Sequence, residues 1–141
     1  MAKPGDAFAQ VNVLLAEDEA FMRQLVVRVL RDIGIANVTT TADGEEALLR
    51  MRSQGDRFHV LIADLQMPKL NGLALIKAVR ALPSEQNPGI PVLVLTGHGE
   101  EKVVKTALGL GINGFLVKPV SRQALETRLA KILSEQQAGE K

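Results

Sequence analysis

The sequence contains no cysteine, tryptophan or tyrosine and only four phenylalanines among its 141 residues. Without cysteine, disulfide bonds, thiol catalysis and thiolate zinc sites are excluded. Few aromatic rings, and 17 basic residues interleaved with 16 acidic ones, argue against a nucleic-acid-binding surface. The apolar runs are too short to span a bilayer, and the chain opens without an apolar signal core. We therefore expect a soluble, cytoplasmic protein that binds no nucleic acid and does not insert into a membrane.

What the sequence does contain is a regular alternation of apolar runs and helical patterns. The length predicts one domain, large enough to bury a core without a metal or disulfide. Apolar or β-branched runs predict five strands, at residues 11–15, 38–41, 60–63, 91–95 and 115–117. An amphipathic helical pattern follows each of them. This alternation predicts an α/β fold, a doubly wound five-stranded parallel sheet with five helices on its two faces.

Local signals set the expected boundaries of the domain and its helices. Residues 1–10 are polar and contain proline and glycine, so we expect a flexible leader, a domain over 11–136 and a C-terminal tail over 137–141. Gly34 is placed to end the first helix. Asp43, followed three residues later by an acid, is a typical helix start, and Ser121 is placed to begin the last helix.

Polar residues follow four of the five predicted strands. Because the strands are parallel, their carboxyl ends meet at one edge of the sheet, where such folds bind ligands. Each residue alone could be a helix cap or turn former. We expect the set to form one site, which consists of Glu17, Asp18, Asp64, Thr96 and Lys118.

The charges of this predicted site favour a divalent cation. Three carboxylates and one ammonium leave it at −2 if all are ionised, and clustered carboxylates either raise a pKa or bind a cation. Oxygen ligands without cysteine or histidine nearby favour Mg²⁺ or Mn²⁺. A neutralised pocket with a lysine and a hydroxyl suits a phosphoryl group, and Asp64, at the centre of the sheet, is the expected nucleophile.

Four motifs carry a family resemblance: Glu17-Asp18, Asp64-Leu65-Gln66-Met67-Pro68 with Asn71-Gly72, Thr96-Gly97, and Lys118-Pro119. In this order after the first, third, fourth and fifth strands, they resemble the receiver domain of two-component response regulators. The resemblance covers about residues 11 to 135. It implies a flavodoxin-like (βα)5 fold of the single-domain, chemotaxis-regulator-like type.

The resemblance also implies roles for the site residues. Asp64 would be the phosphoacceptor, taking its phosphoryl group from a histidine kinase or phosphotransfer protein. Asp18 and Asp64 would ligate Mg²⁺ directly, with the backbone carbonyl of Gln66, and Glu17 would act through water. Lys118 would pair with Asp64 and then with the phosphoryl oxygens, next to a cis Lys118-Pro119 bond.

The resemblance also implies a conformational switch and residues that set the lifetime of the acyl phosphate. Thr96 would move toward the phosphoryl group and Phe115 would turn into the vacated space. The face formed by the fourth helix, fifth strand and fifth helix would then change its affinity for a downstream protein. Gln66 and His98 would tune hydrolysis of the acyl phosphate. Alternatively, Phe115 is only a core residue, and His98 is only an exposed loop residue.

Several other functions compete with a stand-alone receiver, which we expect because no sequence follows the fifth helix for an output domain. The chain could be a receiver cut from a longer regulator. A phosphohydrolase with an aspartyl-phosphate intermediate would carry an acid at the position of Gln66. A flavin or nucleotide module would need a Gly/Ser/Thr-rich first loop instead of Glu17-Asp18-Glu19. A receiver-like module that is never phosphorylated would lack a needed group. We expect a signalling domain with slow autodephosphorylation, not an enzyme.

Overall fold

A computed structural model describes residues 8–97 and 101–139, with side chains described to residue 135. The strands are β1 Asn12–Ala16, β2 Asn37–Thr41, β3 Val60–Asp64, β4 Val92–Thr96 and β5 Gly114–Val117. The helices are α1 Ala20–Asp32, α2 Gly44–Gln54, α3 Gly72–Arg80, α4 Glu101–Leu108 and α5 Arg122–Gly139. All neighbouring strands pair in parallel, in the order β2-β1-β3-β4-β5. The predicted doubly wound α/β fold is confirmed.

The central strands are buried on both faces, which explains why their sequences lack a polar alternation. Along β3, Val60 and Ile62 belong to the core cluster that contains the buried side chains of α1 and α5. Leu61 and Ala63 belong to the cluster that contains those of α2, α3 and α4. Two cores of apolar side chains therefore hold the helices against the sheet and fix its carboxyl edge in place.

The predicted helix signals act as expected. Gly34, just past α1, has a φ of 111°, a conformation that glycine adopts without a steric cost. The side chain of Asp43 accepts a hydrogen bond of 2.8 Å from the Glu46 N–H at the start of α2. The Ser121 hydroxyl accepts one of 3.1 Å from the Ala124 N–H at the start of α5. These caps satisfy backbone donors that a helix start leaves without partners.

The structure differs from the sequence prediction at both ends of the domain. Phe8, the first residue that the structure describes, is 5% exposed and lies in the core cluster on the α1/α5 side. Burying an aromatic ring stabilises the folded state by about 2 kcal/mol and orders the end of the predicted leader. A single large apolar side chain among small and polar residues shows no periodicity, so the pattern of residues 1–10 did not predict this contact. At the other end, α5 continues through Gly139, into the predicted tail. Residues 134–138 are Ser-Glu-Gln-Gln-Ala, which contain no helix breaker.

Between α2 and β3 the chain makes a single 3-10 turn at Gly55–Arg57. No described helix, α5 included, has both the length and the apolar character needed to cross a membrane.

Candidate functional site

Asp64 is the last residue of β3, the central strand of the sheet. Its side chain is 5% exposed. One carboxylate oxygen, Oδ1, accepts a hydrogen bond of 3.2 Å from the Gln66 N–H, and the other, Oδ2, accepts one of 2.9 Å from Lys118 Nζ. Immediately beyond, α3 begins so close to the strand that a Cβ on Gly72 would lie 2.2 Å from the Asp64 carbonyl oxygen. Only glycine allows this close approach.

Two further carboxylates come from the loop after β1. Glu17 is fully buried, whereas Asp18 is exposed. The Glu17 N–H donates to the Thr41 carbonyl at 3.1 Å, which ties this loop to the end of β2. Carboxylate oxygens of Glu17, Asp18 and Asp64 all lie within 4.8 Å of one another. The structure therefore brings together the three acids that the sequence predicted at this edge.

Lys118 follows β5 and supplies the cation of the cluster. Its Nζ lies 2.8 Å from Glu17 Oε1 and 2.9 Å from Asp64 Oδ2. Its backbone N–H donates to the Thr96 carbonyl at 2.8 Å, and the Lys118-Pro119 bond is cis, as predicted. Burial alone would lower the pKa of Lys118, but its contacts with the two carboxylates outweigh burial and raise the pKa. Lys118 is therefore held in its charged form.

The pKa of the Glu17 carboxyl rises from 4.5 to about 7. Burial is the largest cause, and the neighbouring Asp64 carboxyl adds to it. Glu17 Oε1 is buried and has no hydrogen-bond donor in good alignment among the described residues, although Lys118 Nζ is close. One lysine is not enough to satisfy three carboxylates.

This unsatisfied oxygen and the donor set fit a hard divalent cation. Mg²⁺ prefers oxygen ligands and keeps several of its waters, so a carboxylate that contacts it through water needs only a free lone pair. Glu17, Asp18 and Asp64 provide carboxylate oxygens, and the backbone of Gln66 lies close to the Asp64 side chain, to which its N–H donates. A cation bound among these oxygens would bring the charge of the cluster close to zero.

Of the remaining predicted site residues, two lie near this edge of the sheet. Thr96, the last residue of β4, is 2% exposed, and its hydroxyl contacts the Gly97 carbonyl at 3.3 Å. The side chain of Gln66 is exposed. Phe115, in β5, is half-buried and packs against the core cluster on the α2/α3/α4 side. His98 lies outside the residues that the structure describes.

Sequence reasoning missed one residue at the site. Arg23 lies in the first turn of α1, and its guanidinium donates hydrogen bonds to the backbone carbonyls of Glu17 and Asp18. The available signal was a basic residue near a helix N-terminus, where the helix dipole disfavours positive charge.

Comparison with known proteins agrees with this geometry. The family model described as response regulator receiver domain matches residues 13–130. The chain belongs to the response regulator receiver domain family. The predicted resemblance is thereby confirmed: the domain is a signalling domain of the kind found in two-component systems. Receiver domains bind Mg²⁺ at an acidic pocket, and Glu17, Asp18 and Asp64 form an acidic cluster here.

The relatives of this receiver domain include both short and long proteins. It is 34% identical to chemotaxis protein CheY of Pseudomonas aeruginosa over 86% of this chain and 95% of that protein. It is 32% identical to the osmosensing histidine protein kinase SLN1 of Saccharomyces cerevisiae, over 90% of this chain but 10% of that protein. Among solved structures, chemotaxis protein CheY4 of Vibrio cholerae superposes with a TM-score of 0.77 at 35% identity, covering 88% of this chain and 99% of that one.

Proposed function

We propose that this receiver domain accepts a phosphoryl group on Asp64 from a phosphohistidine of a histidine kinase or phosphotransfer protein. The observation that carries the proposal is the shared position of Lys118, whose ammonium contacts both Asp64 and Glu17 within 3 Å. A buried carboxylate flanked by a cation on one side and acidic metal-binding groups on the other is suited to gain a phosphoryl group.

In the proposed transfer, a carboxylate oxygen of Asp64 forms a bond to phosphorus as the nitrogen–phosphorus bond of the donor breaks. The electron pair of that bond returns to the imidazole, and an acyl phosphate remains on Asp64. Lys118, which starts on the Asp64 carboxylate, moves its ion pair to the phosphoryl oxygens. The Thr96 hydroxyl, at the end of the neighbouring strand, donates a hydrogen bond to the same group.

Mg²⁺ would be held by Asp18 and Asp64, by the Gln66 carbonyl, and by Glu17 through water. When bound, it supplies the positive charge that offsets the phosphoryl oxygens. Mn²⁺ fits the same oxygen ligands. The remaining chemistry belongs to the chain itself, since Lys118 and Thr96 orient the phosphoryl group and the buried position of Asp64 limits the access of water.

The residue two beyond Asp64 favours a phosphoacceptor over a phosphohydrolase. That residue is Gln66, and an uncharged amide cannot act as the general base that a fast hydrolase needs there. We therefore propose slow autodephosphorylation, with a rate that Gln66 and His98 tune. His98 keeps this role only as a prediction.

The output is proposed to be a change in protein binding on the face of α4, β5 and α5. This face carries Leu108 and Val117, two large apolar side chains that are 49% and 43% exposed. Phe115 lies in the same strand as Val117. It packs against the core but stays partly exposed to solvent. Thr96 and Phe115 would move together when the phosphoryl group arrives, and a downstream protein would bind the altered face.

Two arrangements of the full protein are compatible with this role. The match to nearly all of a chemotaxis protein supports a stand-alone receiver, whereas the match to a tenth of a histidine kinase supports a module of a longer regulator. The cytoplasmic location stays a prediction.

Labelling with a small acyl phosphate such as acetyl phosphate tests the proposal. We expect the intact mass to increase by one phosphoryl group when Mg²⁺ is present, and the increase to disappear in Asp64→Asn. Asp56→Asn is the matched control, because Asp56 is an exposed acid on the 3-10 turn before β3. Equal labelling of wild type and Asp64→Asn would overturn the assignment of the phosphoacceptor.

A further inference from the structure

Arg23 connects α1 to the loop that carries the two acids after β1. Its Nη1 donates hydrogen bonds of 2.8 Å to the Glu17 carbonyl and 3.3 Å to the Asp18 carbonyl. The side chain is half-buried, and within the described part of the chain no other side chain donates to either carbonyl. One guanidinium therefore contacts the backbone of both residues whose carboxylates face Asp64.

The position of Arg23 along α1 is unfavourable for the helix itself. It is the fourth residue of α1, near the positive end of the helix dipole, and the helix start has no side-chain cap and no acid in its first turn. The contacts with two carbonyl oxygens offset this cost, because hydrogen bonds from a charged donor are stronger than neutral ones. The placement of Arg23 is therefore explained by the loop, not by the helix.

We propose that Arg23 is a positioning residue that holds the loop after β1 so that the carboxylates of Glu17 and Asp18 point at the metal site. Two other contacts act on the same loop. The Glu17 N–H is bonded to the Thr41 carbonyl at 3.1 Å, and Glu17 Oε2 accepts from the Glu19 N–H at 3.4 Å. Arg23 supplies the contact from the helix side, so the loop is fixed between β2 and α1. This inference rests on the proposed Mg²⁺ site.

Two possible effects of Arg23 on Mg²⁺ binding have opposite signs. If Arg23 acted only through its positive charge, it would repel Mg²⁺ from the acidic cluster, and removal of that charge would tighten metal binding. If Arg23 positions the acids, its removal releases the loop and weakens metal binding, typically tenfold or more for a residue that orients metal ligands. The direction of the change therefore distinguishes the two effects.

The experiment compares the Mg²⁺ dissociation constants of wild type, Arg23→Gln, Arg23→Lys and Arg28→Gln by isothermal titration calorimetry. Arg28→Gln removes the same charge from the same helix, and the exposed Arg28 side chain forms no hydrogen bond or ion pair with the described residues. We expect roughly tenfold weaker binding in Arg23→Gln, an unchanged or slightly tighter constant in Arg28→Gln, and recovery of most of the loss in Arg23→Lys. Equal or tighter binding in Arg23→Gln would overturn the inference.

Two controls keep the result interpretable. Far-UV circular dichroism and the urea midpoint of each metal-free variant show that it is folded, and Arg23→Lys keeps a donor and the charge should Arg23→Gln be unstable. Acetyl phosphate labelling of wild type separates the two hypotheses. Absence of labelling at Asp64 in wild type would contradict the proposed function. Normal labelling of wild type, together with an Arg23→Gln variant that binds Mg²⁺ as tightly as wild type, would contradict only the role of Arg23.

Discussion

The two edges of the sheet use polar side chains in opposite ways. At the amino edge they form hydrogen bonds with the backbone of neighbouring loops and of the first residues of β1 and β4. These side chains belong to Asn12, His59, Arg80, Asn87 and Asn113. At the carboxyl edge they face one another, and Lys118 contacts two carboxylates while a third lies within 4.8 Å. The amino edge thus has its hydrogen bonds satisfied within the protein, and the carboxyl edge keeps an excess of negative charge.

This difference indicates which edge contributes stability and which contributes chemistry. Polar groups that are bonded to the backbone lower the free energy of the folded state. Clustered carboxylates raise it, because burial and mutual repulsion disfavour their charged forms. A ligand that neutralises the carboxyl edge would recover that cost on binding, so a stable amino edge allows the carboxyl edge to remain strained until it is occupied.

The largest effect on stability is expected from Arg80, at the end of α3. Its Nη1 donates to the carbonyls of Pro88 and Ile90 at 2.7 and 2.8 Å. Its Nε and Nη2 reach the carbonyls of Leu110 and Gly111, both at 3.1 Å. Burial lowers the pKa of Arg80 from its usual value, but the side chain has no acid partner among the described residues and its charge is matched by carbonyl dipoles alone.

Arg80→Met should lower the free energy of unfolding by roughly 3 kcal/mol, because it leaves four carbonyls without their donor. Urea denaturation measures the loss. Arg28→Met, on the exposed side of α1, is the control and should change stability by less than about 0.5 kcal/mol. The Mg²⁺ affinity of the folded Arg80→Met protein should match wild type. Equal stability of the two variants would contradict the role given to the amino edge.

The next effect concerns Glu17 at the carboxyl edge. Its pKa is about 7 in the folded state and 4.5 ordinarily, so the folded state binds the proton more tightly than the unfolded chain. The stability that this group contributes is therefore fully present below pH 4.5 and is lost as pH rises through about 7.

Glu17→Gln, without metal, should flatten this part of the pH profile and raise stability at pH 8 by on the order of 2 kcal/mol. This stability gain is smaller than the free energy that corresponds to the whole pKa difference, because the glutamine variant also loses the ion pair with Lys118. Urea midpoints from pH 4 to pH 8 test it. Mg²⁺ should stabilise wild type more than the variant at pH 8. A profile with the same slope in both proteins would show that Glu17 carries no such cost.

The smallest effect is expected at Asn87, which has a positive φ of 63° and joins two loops of the amino edge. Its Nδ2 donates to the carbonyls of Gly55 and Phe58 at 3.1 and 3.0 Å. Asn87→Ala should lose about 1.5 kcal/mol of stability, from the two hydrogen bonds and from the left-handed backbone. Asn87→Gly keeps the favourable backbone and should lose less. If alanine and glycine were equal, the backbone conformation would contribute nothing.

The elements near the site were predictable because their signals are local. The continuous apolar runs of β3 and β4 predicted central strands, and Asp43, Asn71 and Ser121 lie at helix starts as their side chains favour. Strand direction then placed Asp64 and Lys118 at one edge, although 54 residues separate them in the chain. The burial of Phe8 had no local signal, since it depends on a core formed by α1 and α5.

The long basic side chains were the least predictable part of the molecule. No pattern in the sequence predicts the hydrogen-bond partners of Arg23 or Arg80. The Arg80 partners at Leu110 and Gly111 are 30 and 31 residues away. A flexible side chain with several donors can reach many acceptors, and only the packed loops determine which carbonyls lie within its range.

The sequence by itself determined the order of strands and helices along the chain, because periodicity is a local property. It also determined the set of charges at the carboxyl edge, because strands that alternate with helices form a parallel sheet. Only the tertiary structure decided that Lys118 lies between Glu17 and Asp64, that Glu17 is buried while Asp18 is exposed, and that Arg23 turns back to the loop. Burial and separations of a few ångströms set the energies of charged groups, and both arise only when distant segments pack together.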